Sequence, residues 1–386
     1  MASSGFARHY VDHAASSALR PSAAAAVRGA WEAVGNPSSL HASGRRARAI
    51  LENAREQLAD AVGALPAEVV FTSGGTEADN LVIAGGAGWG AGEGRPFVAA
   101  STVEHPAIAQ SVRALGARAV WLGVDAEGLV TGAALDSLDE RVAWASVMWV
   151  NNETGAVQPL GVVVEACRRA GVRVHSDAVQ ALGHLPVSFA ASGLDAMTLS
   201  AHKVGGPVGV GALVVRRDAP LATVSHGGGQ ERTLRSGTVP VALAAGFAVA
   251  AAECVAALAS ERARLGALRA RLAAGLTGAA GVRVNGPSGP GAVSPAICHV
   301  TVPGTRADDV LFLLDAAGID CSTGSACTAG VHQPSDVLLA MGRSEADASA
   351  SVRFSFGHAT TVADVEAVLA AWPDAVARAR AAYGPA

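Results

Sequence analysis

Short apolar runs alternate with amphipathic stretches through the first two thirds of the chain. Runs of about four to eight mostly apolar residues are typical of strands buried on both faces, and helical periodicity between them predicts crossover helices. The predicted helices include Glu77–Ala84, Pro106–Leu115 and Leu160–Ala170. The predicted strands are Val69–Thr72, Phe97–Ala100, Ala119–Leu122, Ala143–Val150, Arg173–His175, Ala196–Ser200 and Gly211–Val215. This alternation indicates a mainly parallel α/β sheet, in which ligands bind beyond the carboxyl ends of the strands.

The last third of the chain has a different pattern. An Ala-rich helical stretch from Val241 to about Gly275 leaves the predicted sheet. Its first part is nearly all apolar, but Glu253 interrupts it, so a buried or interface helix is favoured over a membrane span. A second domain is predicted beyond it, with a helix at Asp308–Ala317 and strands at Val282–Val284, Ile297–Val302 and Val352–Phe356.

Composition narrows the class of protein. Half of the 386 residues are hydrophobic and 16% are charged, which excludes a disordered chain. The net charge of −4 and the lack of a basic run argue against a dedicated nucleic-acid surface. The first residues carry no charged-then-apolar leader, so no signal peptide is expected. Five cysteines without CxxC spacing indicate neither a disulfide framework nor a zinc site. We therefore expect a cytoplasmic enzyme with one reactive thiol.

Lys203 is the only lysine among 29 Lys and Arg residues. GC-rich coding explains the bias, but Arg replaces Lys only where a charge is wanted and not where a neutral, nucleophilic amine is needed. Lys203 ends the motif SAHK after a predicted strand, where Ser200 and His202 would be placed to bind a phosphate. A surface or phosphate-binding lysine is the alternative to a Schiff-base lysine, and we favour the Schiff base.

Two further motifs suit the same chemistry. Asp177, in HSDAVQ, lies 26 positions before Lys203 at a strand end, where an acid can pair with the pyridinium nitrogen of pyridoxal phosphate; a helix N-cap is the alternative. TSGGTEADN follows a strand and opens a helix, so Gly75 and Thr76 predict a phosphate cradle. An ordinary strand-to-helix turn with Thr76 as N-cap is the alternative.

Polar residues at other predicted loops carry weaker signals. His105 in EHPA would stack on a flat ring and carry protons, unless it is an ordinary loop histidine. Asn151 and Asn152 in NNETG would contact a ligand, unless they serve a turn. The loop GGGQERTLRSGT, with Arg232 and Arg235, would bind an anion or give a flexible junction.

Two motifs near the carboxyl end add a thiol and a cation. Cys327 lies in CSTGSACTAG, whose small and polar residues are typical of an accessible loop, whereas Cys167 and Cys254 on helices fit inert packing. Arg353 in RFSFG lies on a predicted strand, where it would pair with a substrate carboxylate or form a structural salt bridge.

Together the ordered motifs resemble the cysteine desulfurase family, fold-type-I pyridoxal-phosphate enzymes of the class V aminotransferase group, in the branch with a GSAC loop. The resemblance spans Tyr10 to Gly357, and the desulfurases of bacterial DNA phosphorothioation systems are matched at least as well as the housekeeping kind. It implies a mainly parallel seven-stranded sheet in a large domain, residues 15–257. A smaller α+β domain, residues 1–14 and 258–386, would carry the catalytic cysteine loop at about 319–333. The motifs that carry it are YVDHAASSALRP, GNPSSLHASGR, FTSGGTEADN, EHPA, NNETGAVQP, HSDAVQ, SAHK, GGGQERTLRSGT, GSACTAG and RFSFG.

The resemblance also implies roles for individual residues. Lys203 would form the Schiff base with the cofactor, and Cys327 would be the nucleophile. Asp177 would pair with the pyridine nitrogen, Gln180 would contact the ring hydroxyl and His105 would stack on the ring. The phosphate would be held by Gly75, Thr76, Ser200 and His202, and by Thr238 of the neighbouring subunit, which implies a homodimer. Asn152 and Arg353 would hold the substrate carboxylate.

The implied reaction converts L-cysteine to L-alanine, with the sulfur kept as a persulfide on Cys327 and passed to an acceptor protein. Iron–sulfur cluster assembly, tRNA thiolation and DNA phosphorothioation stay open as destinations, with no direct nucleic-acid binding, membrane or metal expected. An aminotransferase, a selenocysteine lyase and a non-catalytic sulfur-transfer scaffold are the alternatives.

Three positions depart from the family pattern. Asp12-His13-Ala14 stands where Asn-Ala is more usual, which leaves the role of His13 open. Less polar residues than usual follow Thr238. Cys321 replaces a small residue, and a tolerated substitution is favoured over a persulfide relay or a disulfide with Cys327.

Overall fold

The computed structural model describes residues 8–289, 291–324 and 333–384. Its strands are β1 (His9–Tyr10), β2 (Val69–Thr72), β3 (Phe97–Ser101), β4 (Ala119–Leu122), β5 (Val142–Ser146), β6 (Arg173–Asp177), β7 (Ala196–Ser200), β8 (Gly211–Val215), β9 (Arg283–Val284), β10 (Ile297–Thr301), β11 (Ile319–Asp320) and β12 (Ser351–Ser355). Its α-helices are α1 (Pro21–Trp31), α2 (Ala42–Val62), α3 (Gly75–Gly92), α4 (Pro106–Arg113), α5 (Gly132–Asp136), α6 (Leu160–Arg169), α7 (Phe189–Ser192), α8 (Val241–Ala256), α9 (Leu258–Leu276), α10 (Ala307–Ala316), α11 (Asp336–Ala340), α12 (Glu345–Ala348) and α13 (Val362–Tyr383).

Seven strands form one sheet in the order β2-β8-β7-β6-β5-β3-β4. The pairs from β7 through β6, β5 and β3 to β4 are parallel, and β8 runs antiparallel to both of its neighbours. Strands β2, β5, β7 and β8 are buried at every residue and β6 at all but Arg173, as expected for a sheet covered by helices on both faces. The predicted mainly parallel seven-stranded α/β sheet is confirmed.

Close contact between helix and sheet explains one glycine in α3. A Cβ built on Gly86 would lie 2.6 Å from Cδ1 of Trp144 on β5, so any larger residue would push the helix away from the sheet. This approach matters for function because the first turn of α3 faces the carboxyl ends of the strands.

A second group of elements follows α8. Strands β12, β10 and β9 form an antiparallel sheet in that order, and β1 pairs in parallel with β11. Residues of α9, α10 and α13 pack with these strands in a hydrophobic cluster that includes Leu272, Leu314, Phe354 and Trp372. A separate cluster lies against the seven-stranded sheet and includes Phe71 and Phe247.

Among the predicted elements that differ in extent from the structure, helix Glu77–Ala84 extends over Gly75–Gly92, and two others are shortened or divided. The predicted strand Ala143–Val150 ends at Ser146, because the main-chain N–H of Met148 donates to Glu104 Oε1 at 2.8 Å instead of pairing with a neighbouring strand. The long helical stretch from Val241 divides at Ala257 into α8 and α9, whose axes differ by 74°. No single described helix is long and apolar enough to cross a membrane; by length and composition only this bent pair passes.

A buried ion pair links Glu231, in the loop after β8, to helix α2 and strand β2. The Arg55 guanidinium on α2 binds both carboxylate oxygens of Glu231 at 2.7 Å, and the same carboxylate accepts from the main-chain N–H of Phe71 at 2.9 Å. The Glu231 side chain is 1% exposed and that of Arg55 is 11% exposed.

We expect Glu231→Ala to lower the free energy of unfolding by about 3–5 kcal/mol, because it removes the buried partner of Arg55 and leaves this charge only the half-exposed Glu52 at 3.2 Å. Denaturant titration measures the change. Glu165→Ala is the matched control: its pair with Arg168 is exposed, and its loss should cost about 1 kcal/mol or less. Equal effects of the two substitutions would contradict the prediction.

Candidate active site

A cavity of about 480 Å³ opens at the carboxyl ends of the parallel strands. In an open α/β sheet, a ligand site is expected at this end of the strands. Ten of the residues predicted from sequence line it: Gly75, Thr76, His105, Asn152, Asp177, Gln180, Ser200, His202, Lys203 and Arg353. The fold therefore brings together motifs that are spread over some 280 positions of the chain.

Lys203 lies in the wall of this cavity, in a short 3-10 turn directly after β7. Its Nζ donates to the main-chain oxygens of Ala14 at 2.6 Å and Ala15 at 2.8 Å. Burial, and next the positive charge of Arg353, lower the pKa of Lys203 to about 8, although Asp177 and Asp12 act in the opposite direction. The amine is therefore much easier to deprotonate than that of an exposed lysine.

The turn before α1 supplies main-chain acceptors that the sequence analysis missed. Ala14 O also accepts from Gln180 Nε2 at 2.9 Å, and Ser17 Oγ donates to Lys203 O at 2.9 Å. The side chain of His13 lies 3.1 Å from Ser17 Oγ and is 3% exposed. His13 thus packs behind this turn and not in the cavity, and burial lowers its pKa to about 4. These acceptors were not predicted because every residue has a main-chain oxygen, so the residue type does not reveal them.

The motif TSGGTEADN forms the predicted turn into α3, an 18-residue helix whose N-terminus faces the cavity. A Cβ on Gly75 would lie 3.0 Å from Val179 Cγ2, so a glycine here allows a close approach of the backbone. Glu77, in the first turn of α3, accepts from the N–H of Ser73 and pairs with Arg235 at 3.0 Å. Ser200 and His202 line the same end of the cavity.

Asp177 ends β6 and is 5% exposed. Its Oδ1 accepts from the N–H of Val179 at 2.8 Å. Burial raises the pKa of Asp177 above its usual value, although His105, the Val179 N–H and Lys203 act in the opposite direction. With two nearby groups that can be positive, Asp177 is placed to hold a negative charge that faces the cavity.

His105 is the N-cap of α4, and its Nδ1 accepts from the N–H of Ala107 at 3.2 Å. This bond fixes the tautomer of the neutral ring, in which Nε2 carries the proton. Burial lowers the pKa of His105, Lys203 lowers it further, and Asp177 opposes both. The ring is therefore neutral at physiological pH.

The two asparagines of NNETG have different environments. Asn151 is buried and serves the turn: its Oδ1 accepts from the N–H groups of Glu153 and Thr154 at 3.0 and 2.8 Å. Asn152 lines the cavity, and its main-chain oxygen accepts from Arg353 Nη1 at 2.9 Å. The turn interpretation therefore applies to Asn151, and the ligand contact stays a prediction for Asn152, which lines the cavity.

Arg353 lies on β12 and is 4% exposed. Its Nη2 donates to Asp12 Oδ1 at 2.8 Å, so the structural salt bridge considered as an alternative is present in this structure. The guanidinium nevertheless lines the cavity that Lys203 also lines. Asp12, which the motif YVDHAA contains, was not predicted as a partner.

Thr238 is a predicted site residue that the structure describes but that does not line the cavity. Thr238 is exposed and lies in a surface groove with Trp31, Pro37 and Pro240. Cys327 lies outside the described residues, but Gly324, three positions before it, lines the cavity. Cys321 packs against the hydrophobic cluster around Phe354, and burial followed by Asp12 and Asp320 raises the pKa of its thiol.

The two arginines of the Gly-rich loop are held by the protein. Arg235 pairs with Glu77, and Arg232 donates to Val215 O at 3.0 Å. The loop backbone adopts positive φ at Arg232 and Thr233, 54° and 62°. These contacts favour a structural role for both guanidinium groups over the anion-binding role considered from sequence.

Three buried acids near the cavity were missed by the sequence analysis: Asp79, Glu104 and Glu153. Asp79 lies three positions after Thr76 on α3, and Glu104 and Glu153 directly adjoin His105 and Asn152. Ser335 Oγ donates to Glu153 Oε2 at 2.5 Å, and burial raises the pKa of Glu153 to about 7. Each of the three acids lies inside a motif that the sequence already indicated as functional, and this position was the available sign of their place near the cavity.

Comparisons of the sequence and of the structure with known proteins point to the same group of enzymes. The family model of class-V aminotransferases matches residues 9–368. An IscS-like cysteine desulfurase of Mycobacterium tuberculosis is 48% identical over 384 residues, which cover 97% of each chain. The solved structure of a NifS-like protein superposes with a TM-score of 0.89 at 31% identity, covering 96% of this chain and 100% of that one. The structure of DndA from Streptomyces lividans has a TM-score of 0.75 at 36% identity, covering 87% and 96%.

Because Lys203 is the only lysine, its titration can be followed directly. We expect the rate at which an amine-reactive reagent modifies Lys203 in the cofactor-free protein to rise with pH with a midpoint of about 8. Peptide mass spectrometry separates this reaction from that of the α-amino group. Arg353→Gln should move the midpoint upward, since it removes a positive charge. A midpoint near the ~10.4 of a free lysine would contradict the prediction.

Proposed function

The chain belongs to the class-V aminotransferase family and is a cysteine desulfurase of that family; from this premise we propose that it converts L-cysteine to L-alanine with pyridoxal phosphate and captures the sulfur as a persulfide on Cys327. The observation that carries the proposal is the convergence of Lys203, Asp177, His105 and Arg353 on one cavity. An acceptor protein then takes the sulfur, for iron–sulfur cluster assembly, tRNA thiolation or DNA phosphorothioation.

The residues around the cavity fit pyridoxal phosphate. A lysine with a lowered pKa, a buried aspartate and an aromatic histidine line the same cavity. The N-terminus of α3 and the close approach allowed at Gly75 suit a phosphate, with Thr76, Ser200 and His202 beside it. Asp177 would face the ring nitrogen, Gln180 the ring hydroxyl and His105 the ring itself.

The bound cofactor would store the electron pair that is released when bonds to the substrate's carbon atoms break. Lys203 supplies the amine that holds it covalently. With a pKa of about 8, about a tenth of Lys203 is neutral at pH 7, compared with well under a thousandth of a free lysine. The Ala14 and Ala15 carbonyls hold Nζ in place.

Proton movement is assigned to Lys203 Nζ and His105 Nε2. The Ala107 N–H occupies Nδ1 of His105, so Nε2 is the nitrogen that gives and takes a proton. Asp177 stabilises the protonated form of either group from its buried position. The substrate carboxylate would bind Arg353 and Asn152, joining or replacing Asp12 on the guanidinium.

Cys327 is the proposed nucleophile because it is carried by the segment that follows Gly324 at the cavity. Its thiolate forms an S–S bond with the substrate sulfur as the substrate's C–S bond breaks. The electron pair of the C–S bond stays on carbon, which takes up a proton to give alanine. A free thiol has a pKa of about 8.5, so the site must stabilise the thiolate.

We propose a homodimer in which Thr238 completes the partner's phosphate site. Thr238 is exposed and does not line the cavity of its own chain. Trp31, in the same groove, is 68% exposed, and Val34 nearby is 79% exposed. Large apolar side chains exposed side by side are typical of an interaction surface.

Cys327→Ser should keep the cofactor absorbance of the protein and abolish sulfide release from L-cysteine. Cys321→Ser is the matched control and should retain turnover, because its partly buried thiol has a raised pKa. Alanine formation and sulfide release are both measured. Desulfurase turnover in the Cys327 variant would contradict the nucleophile assignment, and keto-acid formation from amino donors would favour an aminotransferase.

Lys203→Ala should lose the visible absorbance of the lysine-bound cofactor.

Mixed dimers test the shared site. A Lys203→Ala subunit paired with a Thr238→Val subunit has one cavity in which both residues are intact, if Thr238 serves the partner. Such dimers should show about half of the wild-type turnover, well above both parent variants. If Thr238 serves its own chain, the mixed dimer will not exceed half of the activity of the Thr238→Val enzyme.

A further inference from the structure

A row of buried polar side chains crosses the carboxyl ends of the strands behind Asp177. His175 and Asp177 are two positions apart on β6, so both face the side of the sheet that α3 covers. From one end to the other, the row consists of Asp79 on α3, Thr198 on β7, His175 on β6, Ser146 on β5 and Glu104 after β3. Ser101 on β3 lies beside Glu104, outside the row.

The members of the row are joined by hydrogen bonds. His175 Nε2 lies 3.0 Å from Thr198 Oγ1, and His175 Nδ1 lies 2.9 Å from Ser146 Oγ. Ser101 Oγ donates to Glu104 Oε1 at 2.5 Å. The hydroxyls of Thr198 and Ser146 also interact with the carboxyl groups of Asp79 and Glu104 at the two ends of the row.

The imidazole of His175 brings no positive charge to the two acids. A neutral ring carries one proton, so it donates to one of the two neighbouring hydroxyls and accepts from the other. His175 is fully buried, and burial lowers its pKa to about 3.

The surroundings disfavour a negative charge at both ends. Asp79 Oδ1 and Glu104 Oε2 are buried and have no hydrogen-bond partner among the described residues. Asp79 Oδ1 is 3.8 Å from His175 Nε2, too far for a hydrogen bond. Burial, and next the charge of Asp177, raise the pKa of Asp79 well above its usual range, and burial raises that of Glu104 to about 8. A buried carboxylate without a cation is strongly disfavoured.

A metal does not account for the acids. Among the residues that the structure describes, no group of three or more His, Cys, Asp and Glu side chains is arranged to hold a metal ion. Lys203, the positive group nearby, and the neutral ring of His105 interact with Asp177. The row therefore has no cation of its own.

We propose that Asp79 and Glu104 are positioning residues carried as neutral carboxylic acids, which hold His175 neutral and leave Asp177 as the single carboxylate of the buried cluster. This inference rests on the proposed cofactor site, because its consequence is one concentrated negative charge opposite the ring nitrogen. If Asp79 or Glu104 were ionised, their charges would compete with Asp177 for the protons of Lys203 and His105.

Infrared spectroscopy of the purified holoprotein tests the proposal directly. A protonated carboxyl group has a C=O stretch that is separated from those of carboxylates and amides and shifts in D₂O. We expect such bands from buried acids at neutral pH, one of which is lost in Asp79→Asn and another in Glu104→Gln, beside the band of Glu153, whose pKa is about 7. If either variant leaves the band pattern of the wild-type protein unchanged, the proposal is overturned.

The same variants report on positioning through the bound cofactor. Asn and Gln imitate a neutral acid, so both variants should retain cofactor, with the titration midpoint of its visible absorbance within about 0.5 pH unit of the wild type. Asp177→Asn should shift that midpoint by about one unit or more, since it removes the charge itself. Ser176→Ala is the matched control: this buried hydroxyl lies on the opposite face of β6, has no partner among the described residues and should leave both readouts unchanged.

A shift in Asp79→Asn or Glu104→Gln as large as that in Asp177→Asn, or loss of cofactor in either, would also overturn the proposal, because a charge would then be required at that position. Neither readout depends on turnover of L-cysteine. A protein that shows both bands and the unchanged midpoints but does not desulfurate cysteine would refute the proposed function and leave this inference standing.

Discussion

The removal of the Lys203 amine from water is the constraint on which the candidate site depends. An ammonium group in a protein wall is unfavourable unless something compensates for lost hydration. Here two main-chain oxygens, Ala14 O and Ala15 O, accept hydrogen bonds from the amine, and Asp177 supplies a negative charge. Arg353 counteracts that charge and keeps the amine easy to deprotonate. The position of one nitrogen atom therefore requires four separate parts of the chain to be in place.

The turn around Ala14 connects both hydrophobic clusters to this nitrogen. Ser355 Oγ, at the end of β12, accepts from the Ala14 N–H at 2.8 Å, and Ser17 N donates to His202 O at 2.8 Å. Asp12 pairs with Arg353 on the same strand as Ser355. A change of packing in the elements after α8 would thus move the acceptors of Lys203, which lies after β7. The polar row behind Asp177 gives the opposite wall comparable rigidity, because each of its members is fixed by the next.

The sequence analysis was accurate where residue type alone limits the chemistry. The single lysine, the acid 26 positions before it and the Gly-rich turn into α3 all line the cavity, and the periodic apolar runs gave the seven strands of the sheet. It was less accurate where several structures suit one pattern. The strand predicted to reach Val150 stops at Ser146 because Glu104 accepts the Met148 N–H that would otherwise pair with a neighbouring strand. Arg232 and Arg235 bind protein groups, since guanidinium groups suit carbonyls and carboxylates as well as ligands.

By itself, then, the sequence determined the alternation of strands and helices, the order of the motifs and the residue types able to do the chemistry. Hydrophobic periodicity and side-chain functional groups are local properties, and they can be read position by position. Only the tertiary structure decided which of these groups meet, that Asp12 occupies Arg353, that main-chain oxygens hold Lys203, and that Asp79 and Glu104 end one buried row. Those facts depend on burial and on distances between segments far apart in the chain, which set the pKa of each group and the partners it can reach.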